Sequence, residues 1–463
     1  MSRQFDAIVI GTGQAGPSLA GRLADSGLQV AVIERHRFGG TCVNTGCIPT
    51  KTLIASAYFA HSARRAAEYG VRIAGGIDVD MRAVKARKDE ISGHSSRKLE
   101  EWLRGLKNVS VLTGAARFAD RYSVRVGSDT LRAERIFINV GGRALVPPFP
   151  GIDATPFLTN SGMMDIDFLP RHLVIVGGSY VGLEFAQMYR RFGSAVTVVE
   201  RDSRLISRED PDVADAVREI LEREGIRLRL GANCITTQRT AAGIAVGVDC
   251  REGEPVVEGS HLLLAVGRTP NTDDLGLEQA GVETDPRGYI TVDEQCRTNV
   301  PGIWALGDCN GRGAFTHTAY NDFEIVAANL LDHDPRQISD RRTCYALFTD
   351  PPLGRIGLTE AEVRKSGRRA LVGKLPMSSV KRSVERGESQ GFMKVIVAED
   401  NGEILGAALL GLNADEVVHS LLDVMYARAP YSVIRRAVHI HPTVSELIPT
   451  LLGNLQPLGA PGH

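Results

Sequence analysis

Cys42 and Cys47 stand five residues apart in GGTCVNTGCIPTKTL, residues 39–53. Paired thiols can exchange electrons as a dithiol–disulfide couple or hold a soft metal ion. Two unrelated cysteines, packed as small apolar residues, are the plain alternative. In an ideal helix residues i and i+5 lie about 140° apart and about 7.5 Å along the axis, so their Cα atoms would be roughly 8–9 Å apart. A bridge tolerates at most ~7 Å. Joining these two sulfurs therefore demands a break in the helix. Gly46 supplies flexibility, and Pro49 lacks the N–H that would bond the Thr45 carbonyl. The segment is predicted to interrupt its own first turn, and a bridge on a distorted, accessible stretch is reducible rather than inert. Lys51 follows Cys47 by four residues on the same helix face. An ammonium there favours thiolate over thiol.

The chain around this segment has 463 residues, 43% hydrophobic and 24% charged, with a formal net charge of -1. That is the composition of a soluble protein of several domains. Lys and Arg are scattered, and no apolar run has the length of a membrane span, so neither nucleic acid nor membrane is expected as a partner. Asp6 lies where an export signal would be apolar. The seven cysteines (42, 47, 234, 250, 296, 309 and 344) are sparse and odd in number. They point to a reducing, cytoplasmic setting rather than a disulfide framework. No residue set is assigned to a resident metal.

Two segments share one plan. AIVI (7–10), GTGQAG (11–16) and VAVI (30–33) read as strand, glycine turn, helix and strand, ending in Glu34, 18 residues past Gly16. Gly11 permits the tight turn, Gly13 lets the backbone approach a pyrophosphate, Gly16 packs helix on strand, and Glu34 can accept from a ribose. The helix N-terminus offers free N–H groups to phosphate. LVIV (173–176), GGSYVG (177–182) and VTVV (196–199) repeat the plan and end in Glu200, 18 residues past Gly182. Ser179 takes the second glycine position there. Two such units imply two dinucleotides. A helix is predicted over about 80–107, and the Gly/Pro-rich tail GNLQPLGAPGH reads as loose.

In this order, GGTCVNTGCIPTK, GGSYVGLEFA, AVGRTPNT, GIWALGDCN, FTDPPLGRIGLTE and HIHPTVSEL resemble the pyridine nucleotide–disulfide oxidoreductases, which include glutathione reductase, dihydrolipoamide dehydrogenase and mercuric reductase. The resemblance spans nearly the whole chain. It implies an α/β fold of two Rossmann-like domains, for FAD and NAD(P)H, with a C-terminal α+β dimerisation domain. The expected divisions are residues 1–146 and 269–338 for the FAD and central unit, 147–268 for the NAD(P)H unit and 339–463 for the interface domain. It implies a homodimer whose active site is shared across subunits. FAD falls to Gly11, Gly13, Ala15, Gly16, Glu34, Arg35, Gly40, Thr41 and Lys51, with Gly114, Ala115, Gly141, Asp308 and Ala319. The INVGG turn (138–142) departs from the family's usual alanine–threonine–glycine. NAD(P)H falls to Gly177, Ser179, Tyr180, Val181, Gly182, Glu200, Arg201 and Gly267. Tyr180 matches the ring that covers an empty nicotinamide pocket.

The resemblance also distributes the chemistry. Cys47 faces the flavin and forms the charge-transfer thiolate, Cys42 attacks the substrate, and Lys51 pairs with Glu184. On residues alone, that pair reads as an exposed lysine and a mid-helix glutamate. Thr443-x-x-Glu446 fits a capping box, whereas the family's H-P-x-x-x-E makes His441 the acid/base for Cys42 and Glu446 its orienting carboxylate. The proline after His441 predicts a non-helical approach to the last helix, and His439 reads as local packing.

Ser179 and SREDPDVADAV (207–217) lean toward mercuric reductases. The lack of a C-terminal cysteine pair and the presence of His441, where those enzymes have tyrosine, oppose it. Gly21 stands where glutathione reductase uses a substrate-binding arginine, and Cys42 is absent from soluble transhydrogenases of this fold. The expected activity is FAD-dependent oxidation of NAD(P)H, with electrons passing through Cys42–Cys47 to a small-molecule disulfide or thiophilic acceptor. Metal-ion (Hg2+/Cu2+) reduction and dihydrolipoamide oxidation are the alternatives within the family. A flavin-bearing redox sensor is the alternative outside it. Glu200 favours NADH through a free ribose 2′-hydroxyl, while Arg201 and Arg204 suit a 2′-phosphate.

Overall fold

The computed structural model describes residues 2–249 and 253–459; Cys250 and the last four residues of the tail lie outside them. Ala7–Ile10 is apolar throughout and buried throughout, as a strand covered on both faces must be. It is central in a five-stranded sheet ordered Ile303–Ala305, Arg135–Ile138, Ala7–Ile10, Val30–Glu34, Val109–Thr113. All of its pairs are parallel. The chain leaves this sheet after Ile138 and returns to its edge only at Ile303–Ala305, so the first unit is assembled from two separated stretches.

Between them stands the second unit. Its parallel sheet is ordered Arg227–Arg229, Ala195–Val199, His172–Val176, His261–Leu264, with an antiparallel meander of Asn233–Thr240, Gly243–Asp249 and Val256–Gly259 beside it. The outgoing and returning chains pair as Gly142–Ala144 with Arg268–Pro270. Both units use the same close approach of helix to turn. A Cβ on Gly16 would lie 2.2 Å from the Gly11 carbonyl oxygen, and one on Gly182 would lie 2.0 Å from that of Gly177. Any larger residue would push the helix off its strand.

The C-terminal unit is one six-stranded antiparallel sheet, from Cys344–Leu347 at one edge to Gln456–Pro457 at the other. The tail is therefore not loose as far as residue 459. Gln456–Pro457 pairs with Leu371 and Val372, Leu458 N–H donates to the Ala370 carbonyl, and Leu455 and Leu458 pack on apolar cores. The two leucines outweigh the glycines and prolines that suggested otherwise. A buried charge cluster ties this sheet to the second unit: Lys394 Nζ donates to Asp210, Asp212 and Glu360 at 2.9, 2.8 and 2.8 Å. Among the described residues, no helix is long and apolar enough to cross a membrane.

Candidate active site

The expected break between the cysteines is present. Cys42 lies in the short helix Gly40–Asn44 and Cys47 opens a separate helix, Cys47–Arg64. Thr45 and Gly46 form the joint, and a Cβ on Gly46 would sit 2.8 Å from the Thr41 carbonyl oxygen. Pro49 leaves the Thr45 carbonyl without its helical partner. That carbonyl instead accepts a hydrogen bond from Asn160 Nδ2 at 2.9 Å. Asn160 lies more than a hundred residues away, and no local motif announces it.

Both cysteines are free thiols here, close enough that the charge state of each sulfur bears on the acidity of the other. Cys47 also meets Thr316 Oγ1 at 3.2 Å, at the first residue of helix Thr316–Ala327. The hydrogen bond from Cys42, then that from Thr316 and the nearby Lys51 charge, bring Cys47 down to about 6 against the opposing effect of burial. Cys42 moves the other way, because donating its proton to Cys47 favours the thiol, and burial adds to this. The pair is thus polarised, with Cys47 the sulfur that favours the thiolate and Cys42 the one that favours the proton.

Lys51 Nζ donates to both oxygens of Glu184, at 2.9 and 2.8 Å. Glu184 is buried in helix Tyr180–Phe192 of the second unit and also accepts from Phe348 N–H at 3.1 Å. The Lys51 ammonium lies over the Phe348 ring, 4.3 Å from its centroid. Of the two readings of this pair, the geometry shows the paired one. Phe348 was not foreseen, since only the fold brings it there.

These groups line one cavity of about 1340 Å³. Gly11, Gly13, Glu34, Arg35, Gly40 and Thr41 line it, as do Gly114, Ala115, Gly141, Asp308 and Ala319. Ala15 and Gly16 are buried in the adjoining helix and pack it against the sheet. Glu34 is held by Thr12 N–H and Oγ1 at 3.0 and 2.5 Å and by His36 N–H at 2.9 Å. The INVGG turn places Asn139 beneath the glycines. Its Nδ2 is buried, has no hydrogen-bond partner among the described residues and sits 3.2 Å from the Cβ position of Gly13. Asp308 is pushed up by burial, while Arg268, 3.3 Å away, works against the rise. A spare buried donor beside main-chain N–H groups suits a pyrophosphate, and an acid at each end suits hydroxyl-bearing ribose and ribitol. The residues fit FAD.

The second glycine turn lies apart from this cavity. Tyr180 and Val181 reach the cavity, whereas Gly177, Ser179, Gly182, Glu200, Arg201 and Gly267 do not line it. Ser179 is exposed at the N-cap of its helix and its hydroxyl makes no cap hydrogen bond, which leaves it able to donate. Glu200 accepts from Gly178 and Asp202 N–H at 2.5 and 2.8 Å.

His441 and Glu446 are also outside the cavity. His441 Nδ1 bonds Glu446 at 2.8 Å, and the His441 side chain is 72% exposed. Half of the capping box forms, with Glu446 N–H donating to Thr443 Oγ1 at 3.2 Å. The Glu446 carboxylate turns to His441 instead of completing it. Residues 438–444 approach the last helix without helical structure, as expected. Among the described residues, His439 hydrogen-bonds only the Ala437 carbonyl, at 3.4 Å. Val438 and Ile440, flanking it, are 100% and 79% exposed in the single chain.

Two dinucleotide units meeting at a thiol pair, with an interface-type sheet after them, define a flavoprotein disulfide reductase. The chain belongs to the pyridine nucleotide-disulphide oxidoreductase family: the family's main model matches residues 5–322 and its dimerisation-domain model matches residues 343–452. It is 37% identical over 458 residues to the probable pyridine nucleotide-disulfide oxidoreductase RclA of Escherichia coli, covering 96% of this chain and 97% of that one. It is 33% identical over 449 residues to the mercuric reductase of Streptomyces lividans, covering 96% and 94%. With the dihydrolipoyl dehydrogenase of Haloferax volcanii the figures are 32% over 452 residues, 96% and 94%. The solved Cu(II) complex of the HOCl-induced flavoprotein disulfide reductase RclA from E. coli superposes with a TM-score of 0.89 at 35% identity, over 97% of this chain and 99% of that one. The protein is an FAD-dependent oxidoreductase that uses pyridine nucleotides, acts on disulfides and forms homodimers.

Proposed function

We propose that this enzyme oxidises NADH and reduces a small-molecule disulfide through a Cys42–Cys47 redox couple, in the reducing environment of the cytoplasm. One observation carries the reading: two free thiols, Cys42 and Cys47, lie in the cavity that also holds the Lys51–Glu184 pair, with Cys47 held by Thr316 Oγ1 at 3.2 Å. Bound FAD supplies the two-electron link between the nicotinamide and the disulfide. Opening the disulfide adds two electrons and one proton. Cys47 remains as thiolate, held by Thr316 and Cys42, and Cys42 carries the proton.

His441 of the partner subunit then takes the Cys42 proton. The Cys42 thiolate attacks one sulfur of the substrate, forms a mixed disulfide and expels the other half as a thiolate, which the imidazolium protonates. Cys47 attacks Cys42, releases the second half and restores the bridge. Glu446, 2.8 Å from His441 Nδ1, fixes the ring so that the other nitrogen does this work. Partner supply is favoured by the exposure of His441 and by its lying outside the lining of its own chain's cavity.

NADH is favoured over NADPH because Glu200 puts a carboxylate at the strand end, where a 2′-phosphate would be repelled. Arg201 points to solvent, 80% exposed and 3.8 Å from Asp202. Glutathione disulfide is disfavoured: a Cβ at Gly21 would lie 3.1 Å from Trp102 Cη2, so the ring fills the space an arginine would need. A second reading, reduction of a thiophilic metal ion, is supported by the similar RclA having been solved as a Cu(II) complex. Two Cu(II) would take the two electrons of one dithiol. The test is steady-state oxidation of NADH and NADPH with oxidised lipoamide, glutathione disulfide, Cu(II) and Hg(II). Disulfide turnover lost in His441→Ala supports the first reading; metal-ion turnover surviving it supports the second.

A further inference from the structure

Glu209 has no part in the chemistry above, yet its carboxylate is buried against Tyr180, Tyr345 and Arg355, all of which line the cavity. Its Oε2 accepts from Arg355 Nε at 2.9 Å and from Arg355 Nη2, and the Arg355 side chain is 1% exposed. Its Oε1 accepts from two tyrosines: Tyr345 Oη at 2.7 Å and Tyr180 Oη at 3.4 Å. The tyrosine rings meet edge to face, with centroids 5.3 Å apart. Tyr345 stacks at 5.5 Å on Phe315, the residue before Thr316. The two tyrosines are therefore held unequally. Tyr345 is fixed by a short hydrogen bond and a stacked ring, whereas Tyr180 has one long hydrogen bond and edge contacts.

We propose that Glu209 is a positioning residue that latches Tyr180 in its resting place through the shared carboxylate, so that nicotinamide entry competes with a single tyrosine hydrogen bond. The inference rests on the reading of Tyr180 as the cover of the nicotinamide pocket and adds what holds the cover down. The arrangement makes release inexpensive. A buried carboxylate stripped of its partners is strongly disfavoured, but Glu209 keeps Arg355 and Tyr345 when Tyr180 swings away. The apparent affinity for a nicotinamide nucleotide is the intrinsic affinity reduced by the fraction of molecules already open. Removing the Tyr180 hydroxyl raises that fraction without disturbing the charge pair.

The experiment is calorimetric titration of the oxidised holoenzyme with NAD+ and, separately, with ADP-ribose, which shares every part of the ligand except the nicotinamide end. NADP+ and 2′-phospho-ADP-ribose are run as a parallel pair. Tyr180→Phe is expected to tighten the intact nucleotide about 3- to 10-fold, the yield of one modest hydrogen bond, and to leave ADP-ribose unchanged. Glu209→Gln should move the same ratio in the wild-type background and not in Tyr180→Phe. Equal shifts for both ligands would mark a general structural effect and overturn the latch. Tightening in Tyr180→Ala but not in Tyr180→Phe would overturn the latch and leave the cover standing. No change in either variant would overturn both.

Discussion

Lys51 and Glu184 join the two dinucleotide units through both carboxylate oxygens, at 2.9 and 2.8 Å, directly behind Cys47. Replacing Lys51 by Met leaves Glu184 buried with only Phe348 N–H as partner and removes a charge that favours the Cys47 thiolate. The rate at which NADH reduces the enzyme, followed by stopped-flow absorbance, should fall about 10²-fold. The protein should still fold and retain its flavin.

Cys47 is brought down to about 6, chiefly by the Cys42 hydrogen bond and then by Thr316. The deprotonated form is the one stabilised, so the two-electron-reduced enzyme should hold its thiolate above that pH and lose it as pH falls through about 6. Thr316→Val removes the hydrogen bond from Thr316 Oγ1 and should move the midpoint up. The readout is thiolate absorbance or alkylation rate against pH. A midpoint unmoved in Thr316→Val would show that the hydroxyl plays no part.

His441 is predicted to serve the partner's Cys42. His441→Ala should leave reduction by NADH unchanged and slow disulfide turnover by roughly 10²–10⁴-fold. Heterodimers of a His441→Ala chain with a Cys42→Ser chain contain one intact site and should recover about half of wild-type turnover per dimer. Inactive heterodimers would place the acid/base elsewhere.

Asn160 caps the carbonyl that Pro49 releases. Asn160→Ala leaves the Thr45 carbonyl without that partner and should cost about 1–2 kcal/mol in equilibrium unfolding. Asn160→Asp, which keeps the size but not the donor, should not rescue it.

What the sequence made legible follows a physical line. Glycine turns, strand runs and the Gly46–Pro49 break are encoded within a dozen residues, and each was found where local chemistry required it. Lys51–Glu184 and His441–Glu446 have bland local readings, and only the order of motifs along the whole chain pointed past them. Asn160, Thr316, Phe348 and Glu209 carry no local signature because their partners are brought near by sheet topology. The tail misled for the opposite reason: Gly and Pro spoke for a loose end, while Leu455 and Leu458 had apolar cores to join.

The central claim is that electrons cross from flavin to substrate through the Cys42–Cys47 sulfurs. Anaerobic titration of the purified yellow protein with NADH tests it most directly. A long-wavelength band from the Cys47 thiolate against the oxidised flavin should grow in up to two electrons per subunit in the wild type, stand before any NADH is added in Cys42→Ser, which has no bridge to open, and be missing in Cys47→Ser. Plain bleaching of the flavin in the wild type, with all three proteins alike, would contradict the claim.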